Sequence, residues 1–415
     1  MGTTARHVKG ALKTLLYYGV DSLAYKAHAL LPVVDEQALF VEMKRPEPST
    51  DIALVMQELA SRGFVCDFIS LGKGNGLGFG YILRCAHMSW KAARAHLLFL
   101  SDSNMPVGCL PVRPQTAVVQ LWHACGAFKK FGYSTAEKIF GPDRVEAERF
   151  PHYGNTSLVT VSSPEVVWAY EEAMGLKGTG AVQPLGVSRT DVFFDEERLK
   201  SWRAQAQEAV PAIDGRRVLL YAPTFRGEVT SPEAPDFLDL ERLRQRLKDG
   251  WVVLIKHHPL VRDRPAIPAS CEGWAFDVSD ALAIEACMVA ADVCVTDYSS
   301  LIYEYALLER PMAFLAPDRD DYDDWRGFYY DYDELTPGPV FATTEELADW
   351  VCSLPNTYDP AVVEAFRDKF MSACDGGATK RIVDAALALV PAKRAKGDSP
   401  LCPAFCVGGE PSHVG

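Results

Sequence analysis

Short apolar runs alternate with amphipathic stretches along most of this chain. The runs at 38–43, 65–71, 96–101, 116–122, 157–161 and 181–185 are dominated by Val, Leu, Phe and Ile. Runs of this length bounded by polar residues, Gly or Pro predict buried strands. Between the first two, Ile52, Leu54, Val55, Met56 and Leu59 form the apolar face of a predicted helix at 51–62, capped by Ser49 or Thr50. Further helices are predicted up to about residue 95, near 136–148, and at 164–174, where Ser163 and Pro164 supply a start. The stretch 186–215 is polar and charged, without a long apolar run, and reads as a boundary.

A second series follows. Strands are predicted at 217–222, 252–257, 274–277, 293–296 and 312–315, with helices at 237–248, 281–290, 301–308, 344–353, 361–371 and 378–390. Strand–helix alternation of this kind builds a parallel sheet covered on both faces. At 415 residues the chain exceeds one ordinary core. The expected architecture is α/β, with two Rossmann-like domains around a central cleft: 1–190, 191–390, and a disordered tail at 391–415 rich in Pro, Gly and Ser. No internal repeat is visible at the residue level.

Composition narrows the function. A net charge of −13 argues against a general nucleic-acid partner. The 11 cysteines include no C-x-x-C pair, which fits free thiols in a reducing compartment; Cys402 and Cys406 lack the companions of a zinc site. No apolar stretch is long enough to span a membrane, and the start lacks the apolar region of a signal peptide. It is amphipathic instead. Arg6, Lys9, Lys13 and Lys26 accompany a single acid, Asp21, and the apolar residues Leu12, Leu15, Leu16, Tyr17, Leu23, Leu30 and Leu31. Two readings stay open: a segment lying on an anionic membrane surface, or one packing on its own domain. A cytoplasmic protein with peripheral contact on the inner face of the cell membrane is the expectation.

Several clusters fall where strands end. VVQLWHACGAFKK at 118–130 runs a strand into His123, then small residues that leave room for a ligand, then Lys129 and Lys130. LLYAPTFRG at 219–227 places Thr224 and Arg226 just past a strand. VVLIKHHP at 252–259 ends on His257 and His258, with Pro259 enforcing the turn. DVCVTDYSS at 292–300 carries Asp297, then Ser299 and Ser300 at the opening of a helix. RGFYYDYDELTPGPV at 326–340 is an aromatic and acidic loop that begins with Arg326. Taken singly, a capping histidine, plain N-cap serines and a surface arginine are the simpler readings. Taken together, they line the strand edge where open α/β sheets bind ligands. Two other features read as bland: GKGNGLGFG at 72–80 fits neither G-x-G-x-x-G nor a P-loop, and the aspartate-rich DRDDYDD at 318–324 reads as a solvated face. No metal and no cofactor are expected.

WHACGAFKKFG, LYAPTFRG, IKHHP, VTDYSS, ERPMAFLAPD and RGFYYDYDELTPGPV, in this order, resemble the CDP-glycerol glycerophosphotransferases of teichoic acid synthesis and the related ribitol-phosphate enzymes. The resemblance is dense from about residue 96 to 350. It implies a GT-B-type fold, with a CDP-glycerol or CDP-ribitol donor in the C-terminal domain and a lipid-linked or polymer acceptor towards the N-terminal one. It implies transfer of an alditol phosphate to an acceptor hydroxyl, with release of CMP. It matches the catalytic base to His123 and assigns His258 a role at the diphosphate. It places Arg226, Ser299 and Ser300 on the donor. Lys129, Thr224, Asp297 and Arg326, from the same strand-end clusters, are expected to bind substrate beside them. Ala124 stands where the family has glycine after the histidine, and 38–51 lacks the family's usual N-terminal pattern. Both departures bear on the acceptor more than the donor.

The residue chemistry agrees. A sugar-alcohol hydroxyl needs a base to attack phosphorus, and a histidine, with an ordinary pKa near 6.5, suits that task. A diphosphate needs cations and N–H donors as its P–O bond breaks. The alternatives are a GT-B nucleotide-sugar glycosyltransferase, since fold does not fix reaction, and a catalytically idle binding protein.

Overall fold

A computed structural model describes residues 3–72, 77–136, 144–228, 231–319 and 327–390. Two parallel six-stranded sheets organise them. The first contains β1 (Val34–Glu42), β2 (Val65–Ser70), β3 (Ala95–Leu100), β4 (Ala117–Gln120), β5 (Thr156–Thr160) and β6 (Val182–Gln183), in the order β2-β1-β3-β4-β5-β6. After β7 (Arg217–Tyr221), a small hairpin of β8 (Arg226–Glu228) and β9 (Ser231–Glu233) leaves the sheet. The second sheet continues with β10 (Trp251–Ile255), β11 (Ala275–Asp277), β12 (Val293–Thr296), β13 (Met312–Leu315) and β14 (Val340–Phe341), ordered β11-β10-β7-β12-β13-β14.

Central strands such as AHLLFL in β3 and WVVLI in β10 are buried at every residue. Helices therefore cover both faces, which explains why these strands read as continuous apolar runs rather than alternating ones. Strand order reverses between β1 and β3, and again between β7 and β12. Crevices at the carboxyl ends of the strands open at such switch points. One apolar cluster runs from Trp122, Cys125 and Phe128 of the first half to Tyr298, Tyr303 and Phe328 of the second, so the halves share a core. The backbone crosses over too: Lys129 bridges Phe328, and the Tyr329 N–H donates to the Phe128 carbonyl at 3.1 Å.

The boundary region is more ordered than its sequence suggests. It holds a 3₁₀ segment, Ser188–Phe194, and a helix, Glu196–Ala209, capped by Asp195. That helix buries only Ala206 fully, so it carries no long apolar signal. The final helix, Ala378–Ala388, does not stay with the second sheet with which the sequence grouped it. Ala378, Ile382, Val383 and Ala386 pack with Ala38, Phe40, Ile52 and Leu97 of the first half. Asp191 holds its start, accepting from the N–H groups of Ala378 at 3.0 Å and Thr379 at 2.7 Å. Of the helix predicted near 136–148, the described part is Arg144–Arg149; 137–143 lie outside the described residues. The glycine run at 72–80 and the acidic run at 318–324 also fall partly outside them.

The amphipathic start folds as helix Thr3–Thr14, a π-helical turn Leu15–Asp21, and helix Ser22–His28. Leu16, Tyr17 and Tyr25 are buried, which accounts for one face. Asp21 is buried with them, and neither carboxylate oxygen has a hydrogen-bond partner. Burial pushes its pKa up from 3.8 to about 7. The folded state thus holds this proton more tightly than the unfolded one, and stability falls as pH rises from about 4 to 7. Asp21→Asn is expected to be more stable than the parent at pH 8, by about 1–3 kcal/mol, and to lose that advantage at pH 4. Thermal melts at the two pH values check this; an equal shift at both would remove the buried charge as the cause.

Candidate active site

The loop that carries His123 leaves the carboxyl end of β4. Trp122 adopts φ +61°, a conformation rare for a bulky residue and one that tertiary packing must hold. Its ring lies 4.4 Å from that of His123 and 4.7 Å from Phe131. Gly126, at φ +62°, is required by close packing: an added Cβ would sit 2.1 Å from the Tyr303 ring.

The turn after β3 fixes the His123 ring. Nδ1 lies 3.0 Å from the Ser101 carbonyl oxygen and 3.0 Å from an Asp102 carboxylate oxygen. Both neighbours are acceptors, so Nδ1 carries the proton and Nε2 keeps its lone pair in the neutral ring. Burial raises the Asp102 pKa, but the His123 hydrogen bond and charge outweigh it, helped by Lys44 and Arg45; the carboxyl rests below its ordinary range. The His123 side chain is 48% exposed, open to a substrate.

His258 follows β10. Its Nδ1 accepts the Leu260 N–H at 3.2 Å, which leaves the proton on Nε2 as a donor. Burial lowers its pKa, and the positive charge of Lys129 lowers it further, which favours the neutral ring. The two histidines are therefore set in opposite roles: Nε2 of His123 accepts and Nε2 of His258 donates. Ser299 and Ser300 precede helix Leu301–Ala306. The Ser299 hydroxyl accepts the Leu301 N–H at 3.3 Å, while Ser300 makes no side-chain cap bond.

A cleft of about 300 Å³ brings these groups together: His123, His258, Ser299 and Ser300 line it, with Arg189 and Glu304. Lys129 reaches it through its charge on His258. Thr224, Arg226 and Asp297 are placed elsewhere, as a buried group joining the ends of β7 and β12. Asp297 accepts the N–H groups of Thr224 at 2.8 Å and Tyr298 at 2.6 Å, and pairs with Arg226 at 3.0 Å. Arg226 also pairs with Asp318 at 2.6 Å. Arg326 lies outside the described residues. Among the described residues, no group of three or more His, Cys, Asp or Glu side chains is arranged to hold a metal. His257 points away from the cleft: with Tyr221 and Ile255 it lines a second cavity of about 380 Å³ on the other side of the sheet. Sequence reasoning missed Arg189 and Glu304. Arg189 sits in the unpatterned GVSRTD segment, and Glu304 reads as an ordinary helix residue.

Residues 23–388 match the family described as CDP-glycerol:poly(glycerophosphate) glycerophosphotransferase. The chain belongs to this family. A teichoic acid ribitol-phosphate primase from Bacillus spizizenii is 33% identical over 378 residues, covering 89% of this chain and 96% of that protein. A teichoic acid poly(ribitol-phosphate) polymerase from the same organism is also 33% identical, over 92% of this chain but only 60% of its own length. Among solved structures, the wall teichoic acid polymerase TagF superposes with a TM-score of 0.72 at 20% identity, over 92% of this chain and 96% of that one. A UDP-N-acetylglucosamine 2-epimerase gives a TM-score of 0.55 at 12% identity, over 86% of this chain and 96% of its own. The fold is of the two-domain GT-B type.

Proposed function

We propose that this family member transfers an alditol phosphate from a CDP-alditol to an acceptor hydroxyl and releases CMP. The observation that carries this reading is the pairing of the two histidines in one cleft with Ser299 and Ser300. The acceptor oxygen attacks the phosphorus that bears the alditol, and its proton passes to Nε2 of His123. The P–O bond to CMP breaks, with its electron pair remaining on the CMP phosphate. The Nε2–H of His258 and the serine hydroxyls donate to the phosphoryl oxygens as charge develops there.

Ribitol phosphate is the preferred group within this reading. Relatives named for ribitol phosphate match 83–92% of this chain at 33% identity, whereas those named for glycerol phosphate match 41–66% of it at 29–35%. Incubation with CDP-ribitol, CDP-glycerol and a panel of UDP- and GDP-sugars tests both steps. CMP release, faster from CDP-ribitol, is expected. Nucleoside diphosphate release from a sugar nucleotide would instead establish a glycosyltransferase.

Donor affinity follows from the same cleft. Ser299→Ala and Ser300→Ala are each expected to weaken CDP-ribitol binding by about 1–3 kcal/mol, through lost charge-assisted hydrogen bonds; Ser300→Ala, which removes no cap bond, should do so at unchanged thermal stability. Calorimetry that finds parental affinity in both variants would move the phosphates away from these hydroxyls.

The acceptor side of this reading lies on an anionic membrane surface. Leu12, Leu15, Leu23 and Leu30 are exposed, the last at 87%. The neighbouring helix Phe79–Ala92, which packs on helix Ser22–His28, adds exposed Phe79, Leu83 and Trp90. Lys9 and Lys26 are exposed beside this patch, while Lys13 is taken by an ion pair with Glu146. No helix among the described residues is long and apolar enough to cross a membrane, so contact would be peripheral. A Leu15→Glu/Leu23→Glu/Phe79→Glu variant should lose about tenfold or more of its partitioning onto phosphatidylglycerol vesicles. Salt should weaken binding of the parent chain. Equal co-sedimentation of parent and variant would rule this face out.

A further inference from the structure

Arg189 is the one lysine or arginine among the described residues that line the cleft, and its contacts reach both halves of the molecule. Its backbone belongs to the first half. The Arg189 N–H donates to Asp51 at 3.0 Å, and the neighbouring Ser188 hydroxyl donates to the same carboxylate oxygen at 3.0 Å. Asp51 is buried at the start of helix Thr50–Ser61. The guanidinium then divides its donors. Nη1 donates to the His123 carbonyl oxygen at 2.9 Å, the residue whose ring carries the base. Nη2 makes an ion pair with Glu304, which is 7% exposed on the helix that Ser299 and Ser300 open.

From this geometry we infer that Arg189 is a positioning residue, the clamp that sets the base on His123 at a fixed offset from the donor-holding serines across the cleft. The inference rests on the alditol-phosphate transfer proposed above and deepens it. A buried ion pair is poor evidence for stability, because a well-packed apolar pair of the same volume often does as well; what it adds is a specific geometry. Here the geometry is the functional quantity. The acceptor hydroxyl must lie within hydrogen-bond reach of His123 Nε2 while the donor phosphorus stays on the opposite wall, and a displacement of about 1 Å costs about 100-fold in rate. The strained backbone at Trp122 gives the loop reason to relax if its carbonyl tether is released. A lysine at 189 could keep the charge on Glu304, but a single ammonium lacks the planar fork that holds the His123 carbonyl at the same time.

Arg189→Lys is therefore expected to lower kcat by about 10- to 100-fold, to leave KM for the CDP-alditol within about threefold, and to melt near the parent temperature. Nitrogen NMR of labelled histidine, with His123 assigned by the signal lost in His123→Gln, reads the same effect without substrate. The parent should show the single tautomer with the proton on Nδ1, and Arg189→Lys a mixture. Glu304→Gln should resemble Arg189→Lys, and the double variant should be no slower than either single one, because both break the same link. An unchanged tautomer in Arg189→Lys would overturn the inference. So would a rise in KM at constant kcat, which would make Arg189 a substrate contact. Should the parent turn over none of the CDP-alditols, the transfer reading fails on its own, and the His123 spectrum still decides whether Arg189 holds the base.

Discussion

Purified His123→Ala is expected to turn over CDP-ribitol about 10²–10⁴ times more slowly than the parent chain, while binding the donor within a few fold. The size of the loss follows from the chemistry. An alditol hydroxyl is almost wholly protonated at neutral pH, so without a base its attack on phosphorus must wait for the rare alkoxide or for water to take the proton. Donor binding should survive, since the ring's fixed contacts run to Ser101 and Asp102 of its own domain, and His258, Ser299 and Ser300 belong to the other. Folding should survive as well, because a side chain that is 48% exposed leaves no large cavity when removed. Asp102→Asn makes a graded companion. It loses the charge that stabilises the protonated ring, but the Ser101 carbonyl still accepts from Nδ1 at 3.0 Å and keeps the tautomer. The expected loss is smaller, about 10- to 100-fold. CMP release under saturating donor and acceptor measures both. Turnover by His123→Ala close to that of the parent would take the base away from this residue.

How much of this site could be read without coordinates depended on whether a residue carried a local pattern. His123, His258, Ser299 and Ser300 each follow shortly after an apolar strand, and that placement alone puts them at the carboxyl ends of parallel strands, His123 on the first sheet and the others on the second. Arg226 has the same signature, yet the structure turns its side chain inward, because the Asp297 and Asp318 that claim it come from distant positions. Arg189 had no pattern to notice; its importance lies in two partners, 66 and 115 residues away in the chain. The fold divides similarly. Buried strands such as β3 and β10 declare themselves by composition, whereas helix Glu196–Ala209 buries so little that its stretch reads as a linker. The return of Ala378–Ala388 to the first sheet is a property of topology, which period and propensity do not encode. At the amino end, periodicity correctly marks a helix but cannot say which leucines are covered: Leu16 is buried beside Tyr17, and Leu15 and Leu23 are exposed.

Arg226→Met is expected to destabilise the fold by about 3–5 kcal/mol, a larger effect than on any binding step. All three guanidinium nitrogens are engaged within the protein: Nε with Asp318 at 2.6 Å, Nη1 with the Thr224 carbonyl at 2.5 Å, and Nη2 with Asp318 at 3.1 Å and Asp297 at 3.0 Å. The group is also flanked by the rings of Phe237 at 5.2 Å and Tyr298 at 5.1 Å. Asp297 is 1% exposed, so removing the arginine leaves a carboxylate that water cannot reach and that must either stay charged without compensation or take up a proton. Two strand ends depend on that carboxylate, through the N–H groups of Thr224 and Tyr298. Removing the charge as well should recover much of the loss: Arg226→Met/Asp297→Asn keeps an acceptor for those N–H groups and carries no orphaned ion. The expected signature is therefore a strongly non-additive cycle in urea unfolding, with the double variant more stable than Arg226→Met alone. A donor-binding arginine behaves differently. Its loss would cost about 1–3 kcal/mol in CDP-ribitol affinity while the unfolding midpoint stayed in place. Should Arg226→Met unfold with the parent and bind donor weakly, the guanidinium must leave its carboxylates for the diphosphate when the donor arrives, and the ion pairs with Asp297 and Asp318 would be a resting arrangement rather than the reason this arginine is here.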